Sequence, residues 1–401
     1  MRVLQINSVC GTGSTGKLAV QISDYLNSQG VENYIAYGFG CCDRPNTFKF
    51  GNMADAHLHS FLSRKLCLQG YGSWFVTGRL VRYIRKIKPD IVHLHNIHGH
   101  YLNFPRLFRY LKKANCQVVW TFHDCWPMTG KCTHFTEVGC NKWQTQCENC
   151  HQLNTYPDST RDRSRKNYLD KKKYFSGLEK LHVVTVSQWL KKTAEASFFQ
   201  GKDIRCIYNG IDLNLFRPVP SDIRDSLGIG NRFMILGVSS QWNNKKGYDK
   251  FLALAQRLDE NAVIVLVGVS PEQKATLPDN VIGICRTENQ QQLAQLYSAA
   301  DVLVNLSLEE TFGLVVAEAL ACGTPAIVLN STACPEVVSE DTGIVIEPKD
   351  PQDLDRALDK IRSTGKAAYS HNCTERARQL FTNERMQQQY YLLYSELEKL
   401  H

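Results

Sequence analysis

The sequence predicts an α/β protein built from two doubly wound domains. Short apolar runs of strand length alternate with amphipathic helical segments, which is the pattern of a parallel sheet covered by helices on both faces. This pattern begins anew near Phe233, after a stretch with the turns and polar residues of a connector. With 401 residues, of which 43% are hydrophobic, the chain is also long enough to bury two separate cores.

The first domain is predicted over residues 1–208. Its first strand, Arg2–Ile6, leads into the glycine-rich loop Cys10–Gly16 and then into a helix from Lys17 to about Ser28. Short apolar runs predict the remaining strands, at 33–37, 90–95, 117–122 and 182–186. Gly13 and Gly16 give a ligand room to approach the backbone closely at the start of this helix.

A connector at 209–231, rich in turn-forming and polar residues, leads to a second domain at 232–382. The apolar runs predict its strands at 233–239, 262–267, 281–285, 302–306 and 325–329. A last helix is expected over about 383–400.

Charge is divided unevenly along the chain. Residues 1–200 contain 27 Lys and Arg against 13 Asp and Glu, whereas residues 201–401 contain 20 against 26. Basic clusters lie at Arg79–Lys88, where Leu80, Ile84 and Ile87 have helical spacing, and at Arg161–Lys173. Such clusters are typical of a solvated helix face or of a surface that attracts anionic lipid headgroups. Nucleic acid is not predicted as a partner, because no aromatic residues alternate with the basic ones in a known binding module.

The N-terminal residues 1–7 are predicted to be a short strand followed by a glycine-rich loop. They are not predicted to be a signal peptide, because they lack its apolar core and cleavage site. The longest apolar run, near 262–269, has the length of a strand, so no membrane span is predicted. A cytoplasmic location keeps thiols reduced. The 15 cysteines are therefore expected to be buried thiols or metal ligands and not disulfides.

The segment Glu310–Glu318 follows a predicted strand and opens a predicted helix. Because unpaired N–H groups at a helix N-terminus attract anions, the loop Thr311–Gly313 is predicted to receive a phosphate or diphosphate. Glu310 is placed to reach whatever is attached to that phosphate. Glu318, about two turns into the helix, is placed to accept hydrogen bonds from ribose hydroxyls. The alternative is a solvated helix face with two carboxylates.

Five motifs in the second half of the chain occur in the order found in the retaining glycosyltransferases of family 4. They lie at 207–218, 246–249, 266–268, 310–325 and 335–336. Residues 119–130 and the cysteines after them resemble a subfamily that includes bacterial colanic acid, O-antigen and exopolysaccharide glycosyltransferases. The resemblance covers nearly the whole chain. It implies a GT-B fold, in which two Rossmann-like domains face each other across a cleft and the last helix, 383–401, crosses back to the first domain.

The resemblance also assigns roles to individual residues. It implies that the catalytic set is His123, Glu310 and Lys246. The matching donor-side residues are Gly16, Gln241, Lys245, Gly268, Arg286, Thr287, Thr311, Phe312, Gly313, Leu314 and Glu318. The matching acceptor-side residues are Gly13, His95, Asn96 and Asp124. The family usually has an arginine where this chain has Gln241, and either Lys245 or the helix N-terminus is expected to supply the missing charge.

A Cys-rich insert at 125–151 shows little hydrophobic periodicity. Four thiolates can enclose a tetrahedral zinc ion and fold such a segment, whereas disulfides or unconnected buried thiols are the alternatives. The predicted ligands are Cys132, Cys140, Cys147 and Cys150, with Cys125 and His134 as substitutes. This zinc would be structural, since four protein ligands leave no open position, and no catalytic metal is expected. The histidine run at 93–100 is not predicted to bind metal, because it lacks an accompanying carboxylate cage.

The expected activity is that of a retaining hexosyltransferase. It would move a sugar from a nucleotide sugar to a lipid-pyrophosphate-linked oligosaccharide during synthesis of a bacterial surface polysaccharide such as O-antigen, capsule or exopolysaccharide. The protein is expected in the cytoplasm, peripheral to the inner face of the membrane. Two alternatives remain, a sugar-nucleotide epimerase of the same fold and a zinc-containing protein that binds nucleotide sugars without turnover. Hydrolysis is not expected, because Glu318 is assigned to ribose and no opposed pair of carboxylates flanks the bond.

Overall fold

The computed structural model describes residues 1–348 and 350–400. The chain forms two compact units. Unit 1 consists of Met1–Ile207 and the chain from Met386 onward, and unit 2 consists of Tyr208–Arg385. Each unit is a parallel sheet with helices connecting its strands, so the predicted α/β class is confirmed.

The sheet of unit 1 has seven strands in the order β3-β2-β1-β4-β5-β6-β7. They are β1 (Arg2–Val9), β2 (Glu32–Phe39), β3 (Thr47–Lys49), β4 (Ile91–Leu94), β5 (Gln117–Phe122), β6 (Leu181–Thr185) and β7 (Asp203–Cys206). The helices before β7 are α1 (Gly13–Ser28), α2 (Met53–Leu66), α3 (Trp74–Ile87), α4 (Phe104–Leu111), α5 (Ser164–Lys171) and α6 (Gln188–Glu195). The strand order reverses between β1 and β4, where ligands of doubly wound sheets usually bind.

The sheet of unit 2 has six strands in the order β10-β9-β8-β11-β12-β13. They are β8 (Phe233–Val238), β9 (Ala262–Val267), β10 (Val281–Ile284), β11 (Val302–Asn305), β12 (Ala326–Leu329) and β13 (Gly343–Ile346). The helices are α7 (Ile223–Ser226), α8 (Tyr248–Ala255), α9 (Pro271–Lys274), α10 (Gln290–Ala299), α11 (Leu314–Ala321), α12 (Cys334–Val337), α13 (Pro351–Thr364) and α14 (Ala367–Leu380). The order reverses between β8 and β11.

The final helix, α15 (Asn383–Glu398), belongs to the core of unit 1 for most of its length. Its side chains Tyr390, Tyr394 and Leu397 are buried in one cluster with residues of β1, α1 and β4. Two parallel hydrogen bonds of 2.7 Å between Arg205 and Glu396 attach the helix to β7. The residues 209–231, expected to be a connector, pack within unit 2, because Ile211, Phe216, Ile223 and Ile229 are all buried.

Several predicted boundaries need correction. The helix α1 begins at Gly13 and not at Lys17, so the glycine-rich loop is shorter than expected. The strands β3, β7 and β13 were not predicted, because they are edge strands of only three or four residues, too short to show a clear pattern. The predicted amphipathic helix at Arg79–Lys88 is confirmed as part of α3, with Leu80, Ile84 and Ile87 buried.

The expectation that the cysteines form no disulfide is wrong at one pair. Cys10 and Cys42 are disulfide-bonded, with Cα atoms 5.8 Å apart. The pairing could not be predicted from the sequence, because the two cysteines are separated by 32 positions in the chain. Because β1 and β2 are parallel neighbours, the residues that follow them end up side by side. The remaining cysteines in the described part of the chain are free thiols.

Within residues 1–348 and 350–400, no helix combines the length and the apolar character that crossing a bilayer requires.

Candidate functional site

Two lysine–glutamate pairs lie at the carboxyl ends of β8 and β11, where the strand order of unit 2 reverses. Lys246 Nζ lies 2.5 Å from Glu310 Oε1, and Lys245 Nζ lies 3.5 Å from Glu309 Oε2. A backbone hydrogen bond from Leu308 N to Lys245 O joins the same two loops. The loops therefore present paired cations at the position where ligands of such sheets bind.

The N-terminus of α11 lies in the same region as these pairs. Leu314 is its first residue, and it follows Gly313, whose φ of 100° lies in the left-handed region that favours glycine. Phe312 is buried and Thr311 is half-buried in the loop that leads into the helix. The loop from Glu309 to Gly313, called the phosphate loop below, thus ends at a helix N-terminus that can attract an anion.

Glu318 lies nearer the helix N-terminus than predicted. Because α11 begins at Leu314, Glu318 is little more than one turn into it, and not two. Its Oε2 accepts a hydrogen bond of 2.9 Å from the hydroxyl of Tyr297, which orients the carboxylate. The orientation of Glu318 is therefore set by a buried aromatic residue of α10.

Two glycines bring the loops at this edge of unit 2 close together. Gly268 has a φ of 93°, and a Cβ there would lie 1.7 Å from the carbonyl oxygen of Ser239. Gly247 has a φ of 80°, and a Cβ there would lie 2.5 Å from Leu306 Cβ. Neither position can hold another residue without moving the backbone.

The other donor-side residues predicted in unit 2 follow β8 and β10. Gln241 is exposed, and its backbone N–H donates to Ser239 Oγ over 3.3 Å. Arg286 is exposed and Thr287 is half-buried in the loop after β10. These three residues stay predicted donor contacts.

In unit 1, three histidines adjoin at the ends of β4 and β5. His95 Nδ1 lies 3.3 Å from His123 Nε2, and the rings of His93 and His95 have their centroids 3.9 Å apart. Burial lowers the pKa of His93 and His95 well below the usual histidine value and lowers the pKa of His123 to about 4. These three residues, called the histidine cluster below, are therefore neutral near pH 7.

Gln5 and Asn7 hold this region of unit 1 together, and neither was predicted from the sequence. Gln5 Oε1 lies 2.9 Å from His95 Nε2, and Asn7 Oδ1 accepts from the backbone N–H of Asn96 over 3.3 Å. Both side chains are fully buried in β1. The available signal was their alternate spacing in an otherwise apolar strand, which places two polar side chains on one face.

The predicted acceptor-side residue Asp124 forms an ion pair that was not predicted from the sequence. Its Oδ2 lies 2.7 Å from His98 Nε2, and its Oδ1 accepts from the backbone N–H of Trp126 over 2.8 Å. Burial alone would raise the pKa of Asp124, but the charge and hydrogen bond of His98 outweigh burial and lower the pKa to about 2. The histidine run at 93–100 thus has one carboxylate beside it, which is a single ion-pair partner for His98 and not the cage that a metal site would need.

The predicted glycines of unit 1 lie at the start of α1. Gly13 is exposed and is the first residue of the helix. Gly16 is buried, and a Cβ there would lie 3.0 Å from Val9 Cγ2 and 3.2 Å from Gly11 N. The nearby Thr15 Oγ1 accepts from Asn7 Nδ2 over 3.3 Å, which connects this helix start to the polar face of β1.

The four cysteines predicted as zinc ligands line one small cavity with Lys131 and Ser164. They are Cys132, Cys140, Cys147 and Cys150. Among the described residues, no three or more His, Cys, Asp or Glu side chains are arranged so that they could hold a metal ion. Burial raises the pKa of Cys132 to about 12 and that of Cys147 to about 11. The zinc site stays a prediction.

Comparison with known proteins places this chain among the glycosyltransferases. The family described as Glycosyltransferase Family 4 matches residues 15–215, and the family described as Glycosyl transferases group 1 matches residues 221–380. A putative colanic acid biosynthesis glycosyl transferase of Escherichia coli, WcaC, is 24% identical over 99% of this chain and 100% of its own length. An N-acetyl-alpha-D-glucosaminyl L-malate synthase of Bacillus anthracis is 30% identical over 55% of this chain and 61% of its own length.

Solved structures agree on the fold. Sucrose-phosphate synthase of Thermosynechococcus elongatus has a TM-score of 0.72 and 21% identity, with 100% of both chains covered. Anabaena HepE, solved in complex with UDP, has a TM-score of 0.70 and 18% identity, with 99% of this chain and 100% of that chain covered. Together with the family matches and the two parallel sheets, these similarities show that the chain belongs to glycosyltransferase family 4 and has the GT-B fold.

Proposed function

We propose that this glycosyltransferase moves a hexose from a nucleotide sugar to a lipid-pyrophosphate-linked oligosaccharide, with retention at the anomeric carbon. The observation that carries the proposal is the Lys246–Glu310 pair beside the N-terminus of α11, where the strand order of unit 2 reverses. This arrangement offers a cation and unpaired N–H groups to a diphosphate, and a carboxylate to the sugar attached to it.

The leaving group explains why cations are needed. When the bond between the anomeric carbon and the diphosphate breaks, negative charge develops on the leaving oxygen, and fixed positive groups lower the barrier most when they point at it. Lys246, Lys245 and the phosphate loop supply these groups in place of the arginine that Gln241 replaces. Gly268, Arg286 and Thr287 are assigned to the base, and Glu318 to the ribose hydroxyls. HepE is solved with UDP and with UDP-glucose, which supports a nucleotide-sugar donor.

Retention follows if the acceptor hydroxyl attacks from the face that the diphosphate leaves. The new bond joins the acceptor oxygen to the anomeric carbon, the old carbon–oxygen bond to the diphosphate breaks, and the departing phosphate oxygen takes the hydroxyl proton. In this scheme Glu310 holds hydroxyls of the transferred sugar, and no metal ion is required. The neutral histidine cluster, with Asn96, suits an uncharged polyhydroxyl ligand better than an anionic one.

The proposed class of acceptor is supported by the relative WcaC, and the proposed membrane location is supported by a basic surface of unit 1. WcaC is described as a colanic acid biosynthesis enzyme, which supports surface polysaccharide synthesis. In unit 1, residues 74–88 and 104–113 contain nine Lys and Arg and no Asp or Glu. Six of these cations line a groove of about 850 Å³ between α3 and α4. Beside it, Trp74 is 47% exposed and Phe75 is 84% exposed.

Cations around exposed aromatic side chains are typical of a surface that docks on anionic lipid. We therefore place the enzyme at the inner face of the cytoplasmic membrane, with the α3–α4 surface as its contact. Each lysine or arginine near such a membrane adds about 1 kcal/mol of attraction.

Vesicle flotation tests this contact. The wild-type protein is expected to float with phosphatidylglycerol vesicles and not with phosphatidylcholine vesicles. Arg82→Glu/Arg85→Glu should abolish flotation, and Phe75→Ser should weaken it. Lys172→Glu/Lys173→Glu removes the same charge from the other basic cluster and serves as the control. Equal losses in the two double variants would show that overall charge matters and that the α3–α4 surface is not the contact.

The donor is tested by thermal shift with a panel of nucleotide sugars. A ligand at 100 times its dissociation constant adds about 2.7 kcal/mol of stability, so a true donor is distinguished clearly. Release of free nucleoside diphosphate only when a lipid-linked acceptor is present supports transfer. Interconversion of the donor without acceptor would instead identify an epimerase, and binding without consumption would identify a binding protein.

We also propose that the four-cysteine cavity binds one structural zinc ion. Its support is the convergence of Cys132, Cys140, Cys147 and Cys150 on a single cavity. Two buried lysines lie nearby, with Lys131 Nζ donating to Gln152 O and Lys171 Nζ to Trp126 O, each over 2.7 Å. Burial lowers the pKa of both lysines, that of Lys171 to about 7, and the net negative charge of a zinc ion with four thiolates would favour their charged forms. Binding would require the sulfurs to move closer together than they are in the arrangement described.

Elemental analysis of the purified protein checks the zinc proposal, with about one zinc per chain expected. Cys147→Ser should lower solubility and melting temperature, whereas Cys285→Ser, at an exposed free thiol, should not. Active protein without metal would disprove the zinc site and leave the transferase proposal intact.

A further inference from the structure

The orientation of the Gln5 side chain is fixed by a backbone carbonyl. Its Nε2 donates to the carbonyl oxygen of Ala19 over 2.9 Å, and its Oε1 faces His95. Because a carbonyl oxygen can only accept, the amide nitrogen must be the end that faces Ala19. The amide oxygen then faces His95 and can only accept from it.

The positions of the protons on two histidines follow from this orientation. His95 Nε2, 2.9 Å from Gln5 Oε1, must carry a proton. Since burial keeps His95 neutral through its lowered pKa, its Nδ1 carries none. His123 Nε2 lies 3.3 Å from that Nδ1 and must donate to it. His123 is also neutral, with a pKa of about 4, so its own Nδ1 has a lone pair and no proton.

We infer that Gln5 and His95 are positioning residues that fix His123 in the tautomer protonated at Nε2, so that its Nδ1 accepts a hydrogen bond from a substrate hydroxyl. The chain Ala19–Gln5–His95–His123 runs from the first helix of unit 1 through β1 to the ends of β4 and β5. Every member is buried except His123, which is half-buried. Water therefore has little access to compete for the chain of donors and acceptors.

The role assigned to this chain is orientation and not proton removal. A base as weak as neutral His123 does not take a proton from a hydroxyl, but its lone pair fixes the direction of the O–H bond. If Gln5 were replaced by an apolar residue, His95 could carry its proton on Nδ1 instead. His123 would then accept at Nε2 and offer an N–H at Nδ1, which reverses the polarity presented to the hydroxyl.

The tautomer is measured directly by long-range ¹H–¹⁵N correlation NMR on the full chain labelled with ¹⁵N-histidine. The His123 signals are those absent from His123→Asn. Wild-type protein is expected to show His123 protonated at Nε2, and Gln5→Leu is expected to show a mixture or the opposite tautomer. Tyr394→Phe is the matched control, since it removes a buried hydrogen bond of 2.6 Å to His93 in the same cluster but outside the chain. It should leave His123 unchanged.

Kinetics give the functional readout, which rests on the proposed sugar transfer. His95→Leu should lower turnover about 3- to 10-fold, the range for one neutral hydrogen bond, and leave nucleotide affinity unchanged. His95→Gln, which keeps one donor and one acceptor, should restore much of that loss. A wild-type His123 protonated at Nδ1, or a His123 tautomer that is unaffected in folded Gln5→Leu, would overturn the inference. Because the NMR readout needs no substrate, it decides the matter even if no transfer is detected.

Discussion

Unit 2 brings charged groups to the carboxyl ends of its strands, whereas unit 1 brings mainly neutral ones to the same ends of its own sheet. Lys246 and Glu310 form an ion pair in unit 2. His95 and His123 are neutral in unit 1 and are joined to uncharged Gln5. Both sheets reverse their strand order at these positions. The shared topology supplies two places for ligands, and the side chains determine which ligand each place suits.

Removing the cation of unit 2 should have the largest effect. Lys246→Ala is expected to lower turnover about 10²- to 10³-fold, because in the proposed transfer the charge that develops on the leaving diphosphate loses a fixed cation assigned to it. Steady-state rates with saturating donor measure this. Lys250→Ala, which lies farther along the chain in α8, is the control and should stay near the wild-type rate. A similar loss in both variants would mean that Lys246 has no special position.

Glu310→Ala should distinguish contacts to the transferred sugar from contacts to the nucleotide. Its expected contacts are to sugar hydroxyls, so turnover should fall about 10- to 100-fold, as for a lost charged hydrogen bond, while affinity for free nucleotide stays nearly intact. Calorimetric titration with the nucleoside diphosphate and with the nucleotide sugar compares the two ligands. Equal losses for both would contradict this division.

Asp124 is the charged exception in the neutral region of unit 1, and its contribution should depend on pH. Its folded pKa of about 2 is below the ordinary value of 3.8, so the charged form is favoured in the folded state. The stabilisation, about 2 kcal/mol, is fully present above pH 3.8 and is lost as pH falls toward 2.

Urea unfolding of wild type and Asp124→Asn at pH 7 and at pH 3 checks this, and the difference between them should shrink at pH 3. Asp24→Asn, at an exposed carboxylate of the same unit, is the control. A difference that does not change with pH would assign the effect of Asp124 to packing and not to charge.

The smallest effect is expected at Glu318. Glu318→Ala should weaken nucleotide binding about tenfold through loss of contacts to ribose, and Tyr297→Phe should weaken it less, because the carboxylate remains but loses its orienting hydroxyl. Titration with free nucleotide gives both constants. An unchanged dissociation constant in Glu318→Ala would remove this residue from the site.

The parts of the fold that could be predicted from the sequence are those with a clear pattern of apolar residues within one short segment. The helical spacing of Leu80, Ile84 and Ile87 and the apolar run of β9 each determine an element on their own. The phosphate loop was also predictable, because strand, loop and helix are consecutive in the chain. The edge strand β3 was missed, since three partly exposed residues leave no apolar pattern.

The contacts that the sequence could not reveal join residues far apart in the chain. The pair His98–Asp124 spans 26 residues, and Gln5–His95 spans 90. Each of these contacts depends on which strands are neighbours in the sheet. The alternation of strands and helices along the chain does not determine that strand order. Gln5 shows the limit well, because a polar residue in an apolar strand indicates a buried hydrogen bond without naming its partner.

The return of α15 to unit 1 has a consequence for how the chain is made. The side chains Tyr390, Tyr394 and Leu397 complete a core that begins at Val3, and all of unit 2 lies between them in the sequence. During synthesis, unit 2 can therefore finish folding while unit 1 still exposes the apolar surface that α15 will cover. The half of the protein that is translated first is the half that matures last, and it is the half that would need protection from aggregation in the interval.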